Sequence, residues 1–198
     1  MFVGHYSTAM VAQQQLKLPK GTLLYLLIVS QLQDFLWLTF DLFGLEVTRP
    51  FDVFDATLSE MSVNMLYSHD LLPQLVWCVL IFLVGKALFN GNKVALAGVL
   101  LVAGHFVLDF FSGHPHHVFG EDTQSAGLGL YATHIYLAIG IEVIFTALVL
   151  WLFFRSEAKS GINRTAKNKA AIVGVFLFGI GFLSQLPNRQ KPYRLMFQ

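Results

Sequence analysis

Five apolar runs constrain this chain more than any other feature. Each is close to the roughly 20 residues that a helix needs to cross a hydrocarbon core. They cover about residues 21–44, 71–89, 93–112, 131–154 and 169–186. Runs so uniformly apolar lack the alternation of barrel strands, and helices satisfy their own backbone polar groups in lipid. The expected fold is all-α: a polytopic membrane helix bundle with about five transmembrane helices, residues 1–198 forming one membrane domain. Residues 1–20 do not read as a cleavable signal peptide, because Lys17 and Lys20 follow the mildly apolar part instead of preceding it. A short N-terminal helix, interfacial or re-entrant, is the expectation there.

Composition agrees. Only 13% of the 198 residues are charged and 55% are hydrophobic, against roughly 25% charged in an ordinary soluble domain. That charge cannot coat a water-facing surface, which argues against a soluble enzyme, a disordered chain or a nucleic-acid module. The expected partner is membrane lipid, with no nucleic acid. A homodimer is compatible with so small a bundle, although nothing in the sequence specifies an interface. The single Cys78 excludes an intrachain disulfide.

The scarce charges also orient the runs. Lys17 and Lys20 precede the first, Lys86 and Lys93 flank the turn near residue 90, and Arg155, Lys159, Arg164 and Lys167 follow the fourth. The 45–70 and 113–130 loops are acidic, carrying Glu46, Asp52, Asp55, Glu60, Asp70, Glu121 and Asp122. Basic loops stay in the cytoplasm, so the two acidic loops are expected outside and the N-terminus inside. Asp52, Asp55 and Glu60 read as part of a solvated outer loop. Arg189, Lys191 and Arg194 in the C-terminal tail break the alternation.

Ionisable groups inside such runs cost about 2.5–3.5 kcal/mol each at a span's centre and need a reason to be there. Asp34 lies in SQLQDFLW, His105 and Asp109 in GHFVLD, Glu142 in AIGIEVIF, and His69 where the second run begins. His105 and Asp109 stand at i, i+4, on one helix face. With the orientation above, Asp34 and Glu142 fall at similar depths, roughly 15 Å from the outer side at 1.5 Å per residue. Carboxylates and imidazoles on four helices thus aim at one layer, with no Lys or Arg at that depth. A bound divalent cation would remove the cost, and a mixed His/Asp/Glu set suits zinc, with manganese or iron as alternatives. Protonation of Asp34 and Glu142, as in a proton relay, is the other route. For His105 and Asp109 alone, a hydrogen bond joining two helices is the simpler reading. His114, His116 and His117 follow the third run closely enough for one to add a ligand.

Four short blocks, in this order, resemble a group of bacterial integral-membrane metal-dependent hydrolases. That group is similar to the zinc-dependent phospholipase C and single-strand nuclease superfamily. The blocks are GHYSTA, SQLQDFLW, YSHDLLP and GHFVLDFFSGHP. The resemblance implies a metal set of His5, Asp34, His69, His105, Asp109 and His114. Glu142, with the AGLGLY segment, matches a more permease-like branch. It implies hydrolysis of a phosphoester or lipid-like substrate from a site in the outer half of the bilayer. Asp34 or Asp70 would bridge metals or accept the proton of the attacking water. Where the soluble enzymes carry a last HxxxE pair, this chain has Ala138 before Glu142, so one or two ions are expected instead of three. Two other functions fit the same residues. One is a small transporter or ion-translocating permease using Asp34 and Glu142. The other is a non-catalytic membrane subunit with a structural metal site.

Overall fold

The computed structural model of the chain describes residues 2–49 and 61–185. Helix α1 (Phe2–Gln15) is followed by a 3-10 turn (Lys20–Thr22), α2 (Leu23–Ser30) and α3 (Leu32–Leu42). Strands β1 (Val47–Arg49) and β2 (Ser62–Asn64) lead to α4 (Leu71–Phe89) and α5 (Asn92–Ser112). Strands β3 (His116–His117) and β4 (Ser125–Ala126) precede α6 (Leu130–Thr133), α7 (Ile135–Lys159) and α8 (Ala166–Gln185). The all-α expectation holds apart from two short antiparallel ladders. One pairs Thr48 with Val63, and the other pairs His116 with Ala126.

Among the described residues, α4, α5 and α7 are long and apolar enough to cross a membrane. This is compatible with a multi-pass membrane protein. The expected first span is not straight: α2 and α3 meet at Gln31 with a bend of 50° and together make a fourth span only if counted as one. Its polar stretch, Ser30-Gln31-Leu32-Gln33-Asp34, interrupts the apolar run where the helix breaks. The fifth run forms α8, whose first turn carries Lys167, Asn168 and Lys169, so it starts polar. Five spans are therefore not reached among the described residues. Residue 186 and the basic tail lie outside them, as do Asp52, Asp55 and Glu60.

Helix α1 lies inside the bundle. Its first amides meet Glu142 on α7, and the Gln14 carboxamide sits 3.2 Å from Ser156 Oγ near the far end of α7. The two helices therefore run parallel, with α1 spanning about 20 Å at 1.5 Å per residue. Val3 packs with Leu150 and Phe176 in a cluster joining α1, α7 and α8.

A larger core cluster joins Ala9, Leu26, Val29, Ile81, Ala97 and Val102. Its density comes from glycines. Helices α4 and α5 form a hairpin turned by Asn90, which adopts φ 48°, the left-handed conformation that Asn tolerates at a helix end. A Cβ on Gly85 would lie 2.7 Å from Ala95 Cα, and one on Gly98 would lie 2.6 Å from the Tyr25 hydroxyl. That hydroxyl donates to the Ile81 carbonyl at 3.0 Å. Small residues of this kind let membrane helices approach closely. The outward faces are apolar: Leu75, Val79 and Leu83 on α4 are exposed, which suits lipid and would be a liability in water.

Gly98→Ala is expected to lower the thermal midpoint of the detergent-solubilised protein, by about 1–3 kcal/mol of overpacking. Gly140→Ala, on α7 with nothing within 4 Å of its Cβ position, is expected to leave the midpoint unchanged or raise it. Equal midpoints for the two variants would contradict the packing described.

Candidate metal centre

The break at Gln31 builds the site from two directions. It leaves the Ser30 carbonyl at the end of α2, where it accepts a hydrogen bond from His105 Nδ1 at 2.9 Å. A carbonyl can only accept, so Nδ1 carries a proton, and in the neutral ring Nε2 carries the lone pair. The break also puts Asp34 in the first turn of α3, where the helix dipole favours a negative charge. Helix α5 supplies His105 and Asp109 from one face, α1 supplies His5, and the segment before α4 supplies His69.

These side chains converge. His105 Nε2 lies 3.1 Å from Asp109 Oδ2 and 3.9 Å from Asp34 Oδ1. His69 Nε2 lies 3.6 Å from Asp34 Oδ1 and 3.8 Å from Asp109 Oδ2. His5 Nε2 lies 3.2 Å from Asp109 Oδ1, and its ring stacks on His105 with centroids 3.6 Å apart. Ligands 2.0–2.2 Å from a tetrahedral ion stand about 3.3–3.6 Å from one another, and the observed separations bracket that range. Two overlapping groups could each hold an ion: His5, His105 and Asp109, and Asp34, His69 and His105. Because one imidazole nitrogen binds one ion, His105 can serve only one group at a time.

The donor set passes a second test. Asp34 Oδ2 and His105 Nε2 are buried without a hydrogen-bond partner. A buried polar atom left so costs about 1–3 kcal/mol, and a divalent cation would satisfy both. His114 Nε2 and both ring nitrogens of His116 are in the same condition. His116 stacks on His69 with centroids 5.4 Å apart. Burial and the neighbouring His69 push its imidazole down to about 3, so it is neutral at pH 7.

Two expected site residues are engaged elsewhere. Glu142 is buried, but its Oε1 accepts the backbone amides of Val3 and of Gly4 (3.2 Å), and its Oε2 accepts the Tyr131 hydroxyl at 3.0 Å. Those amides are among the donors that the first turn of a helix leaves unpaired. Glu142 thus caps α1 from another helix and stands outside both converging groups. Asp70 accepts the amides of His117 (2.8 Å) and Gly120 (2.6 Å). It fastens the loop after α5 to the start of α4. His114 approaches Tyr131, ring to ring at 6.2 Å, and belongs to neither group.

Glu46 stands out in the sequence only as one acid of the outer 45–70 loop. It is 1% exposed, and its Oε1 accepts the amides of Tyr67 (2.7 Å) and Ser68 (2.8 Å). Its Oε2 accepts the Ser68 hydroxyl at 2.8 Å. Burial pushes its carboxyl up, against the pull of these donors. Ser68 Oγ in turn lies 2.8 Å from His69 Nδ1. The only sequence signal was that Ser68 directly precedes His69.

No protein-family model matches this chain, and neither does a curated protein or a solved structure.

Metal analysis of purified protein checks the centre. The wild type is expected to hold metal in stoichiometric amount, and His105→Ala and Asp109→Ala to lose it. Glu142→Gln is expected to keep the metal and lower the thermal midpoint, as loss of a helix cap of about 0.5–2 kcal/mol would. Metal lost on Glu142→Gln but kept on His105→Ala would reverse these assignments.

Proposed function

We propose that the chain is a membrane-embedded, metal-dependent hydrolase acting on a phosphoester or lipid-like substrate. One observation carries the reading. The Nε2 lone pair of His105 faces a carboxylate oxygen of Asp109 at 3.1 Å. Two acceptors at that distance in a dry interior repel unless positive charge lies between them. Asp34 and His69 face the same space from the other side, which favours a shared divalent cation over a single proton.

Zinc is the metal that this mixed imidazole and carboxylate set suits, as one ion or two, and His5, Asp34, His69, His105 and Asp109 are the residues that would hold it. When bound, such an ion polarises a phosphoryl oxygen and lowers the pKa of its water towards 7. Asp34, with one oxygen towards His69 and the other unpartnered, would act as the base for an attacking water. Asp70 suits this role less, because each of its oxygens already holds a backbone amide. The transporter alternative is weakened in the same way, since Glu142 caps α1.

A lipid-like substrate is supported by an open groove of about 470 Å³. Phe40, Leu72, Val76, Trp77 and Phe119 line it, with Tyr67, two residues from His69. Leu72 and Val76 belong to the exposed face of the membrane-crossing α4. The occupant that fits an apolar groove opening from such a face is an acyl chain. The site belongs to the outer half of a bacterial inner membrane in the orientation set by the basic loops. In that orientation α1 starts at the level of Glu142 and the centre and runs towards the cytoplasmic side, ending near Ser156.

Turnover of chromogenic phosphoesters and of defined phospholipids in nanodiscs tests the proposal. Chelation is expected to abolish hydrolysis and zinc to restore it, with Asp34→Asn losing roughly 10²–10⁴-fold in kcat. Zinc-loaded protein that hydrolyses none of these substrates, or turnover indifferent to chelation, would sink it.

A further inference from the structure

The ring of His69 has two possible neutral tautomers, and only one of them presents a lone pair to the converging carboxylates. We propose that Glu46 and Ser68 are positioning residues that fix this choice. The purpose of the choice rests on the metal-centre reading above; the choice itself does not.

The hydrogen-bond chain has one consistent direction. Glu46 Oε1 is occupied by two backbone amides, at 2.7 Å from Tyr67 N and 2.8 Å from Ser68 N. Its Oε2 faces the Ser68 hydroxyl at 2.8 Å. A carboxylate accepts and has no proton to give. Ser68 must therefore donate its single hydroxyl proton to Glu46. That leaves Ser68 Oγ as an acceptor towards His69 Nδ1, 2.8 Å away. Nδ1 then carries the ring proton and Nε2 the lone pair, aimed at Asp34 Oδ1 and Asp109 Oδ2. The stack of His69 on His116, with planes 12° apart, holds the ring in the same plane.

His105 reaches the same state by a different route, through the Ser30 carbonyl. Both central histidines thus present Nε2 as an acceptor, and each has its tautomer set by an acceptor-only group. Partners of this kind orient metal-binding imidazoles and raise their basicity. The arrangement also shares one helix: α3 carries Asp34 at its start, and Glu46 follows its end. One helix and the turn after it, where the Glu46 amide donates to the Phe40 carbonyl at 3.3 Å, then supply a ligand and the carboxylate that aims another.

The isosteric variant Glu46→Gln reads the mechanism directly. Its carbonyl must keep the two backbone amides, so its NH2 faces Ser68 Oγ and donates. Ser68 must then turn its hydroxyl proton to His69 Nδ1, and the ring proton moves to Nε2. Long-range ¹H–¹⁵N spectra of the metal-free full chain, ¹⁵N-labelled at histidine in nanodiscs, distinguish the tautomers of His69. The wild type is expected to show the Nδ1–H form and Glu46→Gln the Nε2–H form. Zinc titration of the same samples is expected to show affinity falling roughly ten- to hundredfold in Glu46→Gln. Ser68→Ala frees the ring to populate both tautomers and is expected to show the mixture, so the test survives if Glu46→Gln does not fold. An Nε2–H ring in the wild type overturns the proposal, as does an unchanged ring in both variants or an undiminished zinc affinity in Glu46→Gln. A swap of tautomers in a protein that takes up no zinc would uphold the hydrogen-bond chain and overturn the metal reading.

Discussion

The break between α2 and α3 is the constraint on which the candidate site depends. A continuous helix through residues 21–44 would commit the Ser30 carbonyl to the amide four residues on, at Asp34, and leave it less open to His105. It would also place Asp34 in mid-helix, without the unpaired amides and dipole of a helix start. Breaking at Gln31 supplies both features at once. The cost of the break is limited by the polar residues around it. Gln33 donates to Gln74 at 2.8 Å and to the Val102 carbonyl at 2.9 Å, which ties α3 to α4 and α5. Gln74 donates onward to the Ser68 carbonyl at 2.8 Å. The break is therefore braced by the same segment that carries His69. Interrupted helices are a common way to hold ions at membrane depth, and this geometry uses the same physics.

Much of the helical framework was legible because it is written in long apolar runs. The second run, 71–89, coincides with α4, and the third, 93–112, differs from α5 by one residue. The first run misled because an average over it hides the polar cluster at 30–34, which marks a bend as well as a function. The fourth run was expected to start at 131. The structure ends α6 at Thr133 and starts α7 at Ile135. His134 between them adopts a non-helical conformation.

The site was legible to the extent that rarity is informative. An acid or histidine in an apolar helix stands out, and Asp34, His69, His105 and Asp109 were visible for that reason. His5 was visible only through its block, since a histidine in a weakly apolar segment carries no signal of its own. Glu142 shows the limit of depth as a guide. Its level relative to the other groups was read from its position along the run, but level does not give the direction in which a side chain faces. The amides it meets belong to a helix at the other end of the sequence, and no local pattern places them there. Glu46 was hidden for the opposite reason. Acids are ordinary in loops, and its burial follows from a return of the chain that brings Ser68 over it.

The way each buried acid is satisfied separates structure from site. Glu142 holds the first amides of α1, Asp70 holds the amides of the loop after α5, and Glu46 holds those of Tyr67 and Ser68. Glu157 takes the Arg164 guanidinium at 2.7 Å and 2.8 Å. In each case an N–H donor meets the carboxylate, and the interaction fastens two segments. Asp34 and Asp109 are met by imidazole nitrogens, and for His105 the shared proton is already given to a carbonyl elsewhere. Imidazoles from three separate segments, His5, His69 and His105, converge on Asp34 and Asp109. Convergence of imidazoles and carboxylates is what a cation site offers its ion, and it is why these two, and not the acids that hold backbone amides, define the candidate centre.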